Sequence, residues 1–308
     1  MSALVFTLLA LALVGPVPAL LARASWPMRA PRAAVVLWQA IAVAAVLSAF
    51  SAGLALAARL FVPGPDGRPT ADVRAEIAAL GWPLWLAAVG VFALTLLIGA
   101  RLGVAVCQVA IGTRRRRARH RMLVDLVGER RTELGGARVL DLAEPLAYCL
   151  PGMRSRVVLS RGALSALTDE ELAAILSHER AHLRARHDLV LEAFTAVHTA
   201  FPRFVRSASA LNAVRLLVEL LADDAAVRSA GPRPLARALV TCACGPTPAG
   251  ALAAGGPTTV IRVRRLSGPP NSRWLSLAAY SAAAAVLVIP TIAVAVPWLT
   301  ELQRLFQA

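Results

Sequence analysis

Three observations predict a mostly α-helical chain in which four membrane-spanning helices carry an α+β domain between the third and the fourth. Hydrophobic residues make up 57% of the 308, well above the norm for soluble globular chains. Apolar stretches near 3–22, 33–58, 82–112 and 274–298 each reach the ~20 residues that cross a bilayer as a helix. Between the last two, residues 113–273 return to a mixed polar composition with alternating helix and strand signals, a segment of ordinary domain size.

The first stretch has no basic residue ahead of its apolar run, and Arg23, Arg29 and Arg32 follow it. That order reads as a helix inserted with its N-terminus outside rather than as a cleaved leader. The net charge of +15 comes from arginine alone, since the chain contains no lysine. Arginines concentrate in 23–32, in 114–119, and at Arg262, Arg264, Arg265 and Arg273, whereas 60–81 is mixed, with Asp66, Arg68, Asp72, Arg74 and Glu76. The positive-inside bias then places 23–32 and 113–273 in the cytoplasm, and 60–81 and both termini outside. About 20 residues of 82–112 would lie in lipid. The expected organisation is a three-helix membrane region (1–112), a cytoplasmic domain (113–273), and a fourth span with a short outer tail (274–308). Arg114 to Arg117 and Arg119 directly follow an apolar span, so they read as a topology anchor against lipid headgroups. With no DNA-reading motif beside them, no direct nucleic-acid binding is expected. The spans are nearly free of ionisable residues, Arg101 excepted, which disfavours a transporter.

Within 113–273 a basic helix is expected over 114–133. Strand-like runs follow at Ala137–Leu142 and Arg156–Ser160, separated by Glu144–Met153. Thr168 and Glu171 have capping-box spacing, and Leu172, Ile175, Leu176 and Leu183 form the apolar stripe of the helix they start. A helical stretch begins at 188 and breaks near 202–208. A second helix ends at Gly231-Pro232, and Pro234–Ala243 forms another. Residues 245–272, rich in Gly, Pro, Thr and Ala, read as a linker. Cys107, Cys149, Cys242 and Cys244 lack metal-finger spacing, and no role is assigned to them.

His178-Glu179-Arg180-Ala181-His182 is an H-E-x-x-H inside the capped helix. Histidines four apart share one helix face, so both imidazoles reach a single tetrahedral metal ion. Glu179, at the edge of that face, is placed to take a proton from a water activated there. The expected cofactor is one Zn2+ per chain. Such a site needs a third protein ligand. Glu219 is the strongest candidate, because a carboxylate in the apolar run 216–222 is costly unless something pairs with it. Asp223, one turn on, is suited to hold the far nitrogen of a ligand histidine. Asp188 falls at a spacing used by other zinc sites, but with Ala185 rather than a glycine to break the helix it should turn away. His187 should cap or pack locally, and its replacement should leave metal content nearly unchanged. His120 and His198 read as ordinary packed or surface histidines. Tyr148, Arg233 and Arg237 are the candidates for stabilising a developing oxyanion.

The chain resembles the membrane-embedded zinc metallopeptidases of the BlaR/MecR type and the wider integral-membrane gluzincins. The resemblance rests on Glu144 to Gly152 (EPLAYCLPG), Val157 to Ser160 (VVLS), Leu167 to Leu172 (LTDEEL), Ser177 to His182 (SHERAH) and the Glu219-x-x-x-Asp223 pair, in that order. It implies a zincin-type protease domain in which His178, His182 and Glu219 bind zinc, Glu179 is the general base, and Asp223 supports a ligand. It further implies that the strand around 156–160 is a sheet edge that holds an extended substrate by backbone pairing. The β-lactam receptors of that group carry a large penicillin-binding domain after their last span, and here only Thr300–Ala308 follow, so antibiotic sensing is not carried over. The expected function is a zinc-dependent endopeptidase of the membrane. Its partners would be the bilayer and a cytoplasmic or membrane-proximal protein substrate, such as a helix-turn-helix repressor. A non-catalytic receptor or scaffold retaining the fold is the competing reading.

Overall fold

The computed structural model describes residues 2–57, 62–63, 69–70, 73–202, 207–243, 252–253 and 258–307. The first apolar stretch forms two helices, α1 (Ser2–Val14) and α2 (Pro16–Arg23). Pro16 has no N–H to continue the ladder of α1, so the helix restarts there with Gly15 as the joint. A 3-10 turn (Trp26–Arg29) leads to α3 (Pro31–Ala57), and two-residue strands β1 (Val62–Pro63) and β2 (Pro69–Thr70) precede α4 (Val73–Leu80).

The third apolar stretch and the basic helix expected after it are one rod, α5 (Trp82–Val127). At 1.5 Å per residue it is about 69 Å long, more than twice the ~30 Å of a bilayer core. Its arginine-bearing half therefore extends beyond any membrane its apolar half crosses. Gly128 ends it short of residue 133, and β3 (Glu129–Arg131) takes up the remainder. Among the described residues, four helical stretches are long and apolar enough to cross a membrane: Leu4–Arg23 (α1 with α2), Pro31–Leu56, Trp82–Val127 and Arg273–Ile292.

A mixed sheet follows, formed by β3, β4 (Ala137–Leu140), β5 (Ala147–Leu150), β6 (Arg156–Ser160) and β7 (Leu252–Ala253), in the order β3-β4-β6-β5-β7. β6 pairs parallel with β4 and antiparallel with β5, so the strand expected at the edge is interior. Its sequence explains why: Val157, Val158 and Leu159 are consecutively apolar and all buried, the mark of a strand covered on both faces. Among the described residues the outer side of β5 pairs with β7, through Tyr148 with Ala253 and Cys149 with Leu252.

Ser160 closes β6 and caps α6 (Arg161–Ala166), accepting from Ala163 N at 3.0 Å and Leu146 N at 2.9 Å. Beside it, a Cβ on Gly162 would lie 1.9 Å from the carbonyl oxygen of Ala143, so only glycine lets these backbones pass. α7 (Asp169–Ala185) starts with the expected capping box: Thr168 Oγ1 accepts from Glu171 N, and Glu171 Oε2 from Thr168 N at 3.0 Å. α8 (His187–Ala200), α9 (Ser207–Ala230) and α10 (Pro232–Cys242) complete the helical layer. The stretch expected as a linker contains β7 and α11 (Thr259–Leu266), and α12 (Arg273–Gln307) follows.

α9 lies between two apolar cores. On one side Leu211, Val214, Leu217 and Val218 join Trp38 and Ile41 of α3 and Phe194 of α8. The other core packs Val157 and Leu159 of β6 against Ile175 of α7, Ala226 of α9, and Leu235 and Leu239 of α10. Burial contributes roughly 1.5–3 kcal/mol for each large apolar side chain, enough to seat a helix that also carries buried carboxylates.

Candidate metal centre

One turn of α7 puts His178 and His182, both buried, side by side with their Nε2 atoms 3.2 Å apart. α9 crosses this face and brings Glu219 Oε2 to 3.5 Å from His178 Nε2, and Oε1 to 3.6 Å from His182 Nε2. In a tetrahedral site with ligand bonds of about 2.0–2.1 Å, ligand atoms lie about 3.3–3.5 Å from one another. The three donors match that spacing, and two imidazoles with one carboxylate suit zinc. The residues present therefore fit the ion that the motif implies.

Each histidine is held from behind. His178 Nδ1 lies 3.1 Å from Asp223 Oδ1. His182 Nδ1 lies 3.0 Å from His187 Nδ1, so one of these two nitrogens carries the proton and donates to the other. Asp223 is in turn clamped by Arg262, whose Nε donates at 2.8 Å and Nη2 at 2.5 Å to its two oxygens. Arg262 Nη1 also lies 3.0 Å from Glu219 Oε2. Arg265, one turn along α11, makes a parallel pair with Asp224 at 2.8 Å. Two adjacent acids on α9 thus fasten α11 across the site. Arg262 is buried to 1% exposure, and it is the principal residue that the linker reading of 245–272 missed. Its signal was the i, i+3 spacing of Arg262 and Arg265 in the amphipathic run TVIRVRRL, which matches the neighbouring Asp223 and Asp224.

Glu179 is fully buried, and neither carboxylate oxygen has a nitrogen or oxygen partner among the described residues. The thiol of Cys149, on β5, is its polar neighbour. Burial raises the Glu179 carboxyl to about 7 and lowers His182 to about 3. His182 is therefore neutral, the state in which imidazole ligates a metal. Burial also lowers His187, to about 4. At Glu219 burial acts to raise the carboxyl, but His182, His178 and Arg262 outweigh it and hold the group at about 2. For His178 burial favours the neutral form, yet Asp223 and Glu219 prevail and raise it to about 9.

Other expected residues fall elsewhere. Asp188 is turned to α5, 3.2 Å from Arg117. The helix does break before it, although not at a glycine: Arg186 adopts the left-handed conformation with φ 52°. Tyr148 faces the opposite side of β5 from Cys149, as strand alternation requires, and its hydroxyl is 2.9 Å from His120 Nε2. Arg233 and Arg237 are exposed on α10, so Arg262 is the arginine that the fold brings to the centre. His198 contacts Ser207 at 3.0 Å.

A helix-borne H-E-x-x-H joined by a glutamate from a later helix defines a zincin-type metallopeptidase site. Residues 114–269 match the family model of Peptidase family M48. That is half the chain, and the chain belongs to this family. Comparisons with curated proteins and with solved structures return no match.

Proposed function

We propose that the protein is an integral-membrane, zinc-dependent endopeptidase that cleaves a cytoplasmic or membrane-proximal protein, such as a helix-turn-helix repressor, in signalling. The observation that carries this reading is the set of three donors spaced for a tetrahedral ion, with the buried Glu179 carboxylate, which has no nitrogen or oxygen partner among the described residues, beside them. His178, His182 and Glu219 would hold zinc, which when bound acidifies a water and polarises the scissile carbonyl. Glu179 accepts the proton of that water and delivers it to the leaving amine. Asp223 and His187 orient the two imidazoles, and Arg262 holds Asp223 and Glu219 in register. An extended substrate would pair with β5 on the side where β7 now lies, since β5 is the strand beside Glu179.

The order of the EPLAYCLPG, VVLS, LTDEEL and SHERAH segments supports kinship with BlaR/MecR-type peptidases. Four apolar helices and the arginine asymmetry support a four-span topology with termini outside and 113–273 inside. Glu179→Gln tests the enzyme reading, because it keeps the shape of the side chain and removes its ability to accept a proton. Bound zinc should be retained and turnover should fall by ~10²–10⁴-fold. Fragments of cellular proteins present with wild-type and missing with Glu179→Gln would identify the substrate. Identical fragments from both would overturn the mechanism.

A further inference from the structure

Between Trp82 and Thr113, the apolar part of α5, Arg101 is the one charged residue. A charge at such a place is costly and calls for a partner. Arg101 Nε donates at 2.5 Å to the carbonyl oxygen of Ala200, the last residue of α8. The last carbonyls of a helix receive no hydrogen bond from its own ladder, so the arginine caps this end. At the other end of α8, Asp188 pairs with Arg117. α8 therefore lies along α5 from Arg117 to Arg101, about 24 Å of its axis. What that depth means is fixed by α3, which has 27 residues, of which a bilayer core holds about 20. Any such run within Pro31–Ala57 includes residues 38–50. Trp38, Ile41 and Ala45 pack in one core with Phe194 of α8 and with Leu211 and Val214 of α9. Phe50 is level with Gly99 of α5, where an added Cβ would lie 2.8 Å from its ring. The facing ends of α8 and α9 thus stand at hydrocarbon depth wherever along α3 the membrane boundary falls.

We propose that α8 and the first half of α9 are a re-entrant membrane element, entering the bilayer from the side of the metal centre and returning to it, with Arg101 capping the inner end of α8. At 14 residues α8 is too short to cross, so both outer ends of the pair stay on one side and the sidedness proposed above is unchanged. Backbone and hydroxyl groups in hydrocarbon must be satisfied within the protein, and those near the inner ends are. Thr195 Oγ1 donates to Leu191 O at 2.6 Å, Thr199 Oγ1 to Thr195 O at 2.8 Å, and Ser207 Oγ to Phe201 O at 3.0 Å. His198 Nδ1 lies 3.0 Å from Ser207 Oγ, and Glu192, the acid of this stretch, is paired with Arg117. Arg203 and Arg206 between the helices lie outside the described residues; an arginine stem is long enough to carry its head toward a headgroup layer. Nearer the metal centre, Arg186 and Arg215 are exposed, where anionic headgroups would meet them. His187 is seven residues before Phe194 and Glu219 five after Val214, about 10 and 8 Å along their helices. The same two helices that enter the lipid therefore hold the metal centre just outside it. The inference rests on the membrane placement proposed above and not on the zinc chemistry.

The test uses the full-length protein in phosphatidylcholine–phosphatidylglycerol nanodiscs, with Cys107→Ser and Cys244→Ser removing competing thiols. Nitroxides are attached to single cysteines at Thr199 of α8 and Ala208 of α9, both exposed. Val288, exposed on α12, is the lipid reference, and Met153, fully exposed beside the sheet, is the aqueous one. Power saturation compares collision with oxygen, which concentrates in hydrocarbon, against collision with a water-soluble nickel chelate. The oxygen-to-nickel ratio at Thr199 and Ala208 should match that at Val288 and exceed that at Met153 several-fold. Should either cysteine disturb folding, as judged by zinc content and melting, Ala193, also exposed on α8, replaces it. Arg101→Met should loosen the inner end of α8, seen as a more mobile nitroxide at Thr199 with that at Val288 unchanged, and Arg101→Lys should restore part of the order. Ratios at Thr199 and Ala208 equal to that at Met153, with Val288 still lipid-like, would overturn the re-entrant element. Spectra unmoved by Arg101→Met would overturn the cap. A Met153-like ratio at Val288 as well, or release of the protein from membranes by alkaline carbonate, would instead overturn the membrane placement itself.

Discussion

Arg262→Met removes the guanidinium from a buried pair in which Asp223 has no solvent exposure and receives two hydrogen bonds, at 2.5 and 2.8 Å. Removing one member of such a pair costs about 3–5 kcal/mol, because the other charge stays buried without compensation. Here His178, 3.1 Å from Asp223, remains as a partner, so the expected loss is near the low end, about 3 kcal/mol. Metal binding should weaken about 10–100-fold, the usual effect of losing a residue that orients a ligand. The double substitution Arg262→Met with Asp223→Asn removes both charges and should recover much of the stability. Arg262→Lys keeps the charge without the two-pronged geometry and should fall between wild type and Arg262→Met. Reversible denaturation in mixed micelles reads the first quantity, and competition with a chromogenic chelator reads the second. If Arg262→Met stayed within about 0.5 kcal/mol of wild type with unchanged zinc affinity, α11 would not be seated on α9 and the account of the clamp would be wrong.

Zinc stoichiometry should be about one per chain, should be lost in His178→Ala or Glu219→Ala, and should persist in Asp188→Ala, whose carboxylate serves Arg117. His187→Ala, which the sequence alone would call silent, should weaken zinc binding about 10–100-fold, because its ring backs His182 at 3.0 Å. Equilibrium metal titration checks all four. Gly162→Ala should impair folding more than an average surface substitution, given the 1.9 Å approach of the new Cβ to Ala143 O, and unchanged expression and melting would refute that. A reporter active only in the cytoplasm should work when fused after Arg117 or within 245–260 and fail after Ala308, and the opposite pattern would invert the proposed topology.

Residues that act within one turn of themselves were legible from the chain alone. The capping box of Thr168 and Glu171, the shared face of His178 and His182, and the unusual cost of Glu219 in an apolar helix are consequences of helical period and local hydrogen bonding. The structure forms the capping box and brings His178, His182 and Glu219 together. The apolar helices were likewise legible, because length and composition suffice to find them. What tertiary structure decided are the pairings between distant segments. β6 became interior because β4 and β5 both found its buried Val-Val-Leu run, and nothing in a single strand says which neighbours it will meet. Arg262 lies 39 residues from Asp223 and 84 from His178. Its place in the site depends on α11 docking over α9, driven by burial and by two arginine–carboxylate pairs that no local pattern specifies. Sequence determined the chemistry on each helix; the packing of α9 between two cores determined which distant side chains stand behind that chemistry.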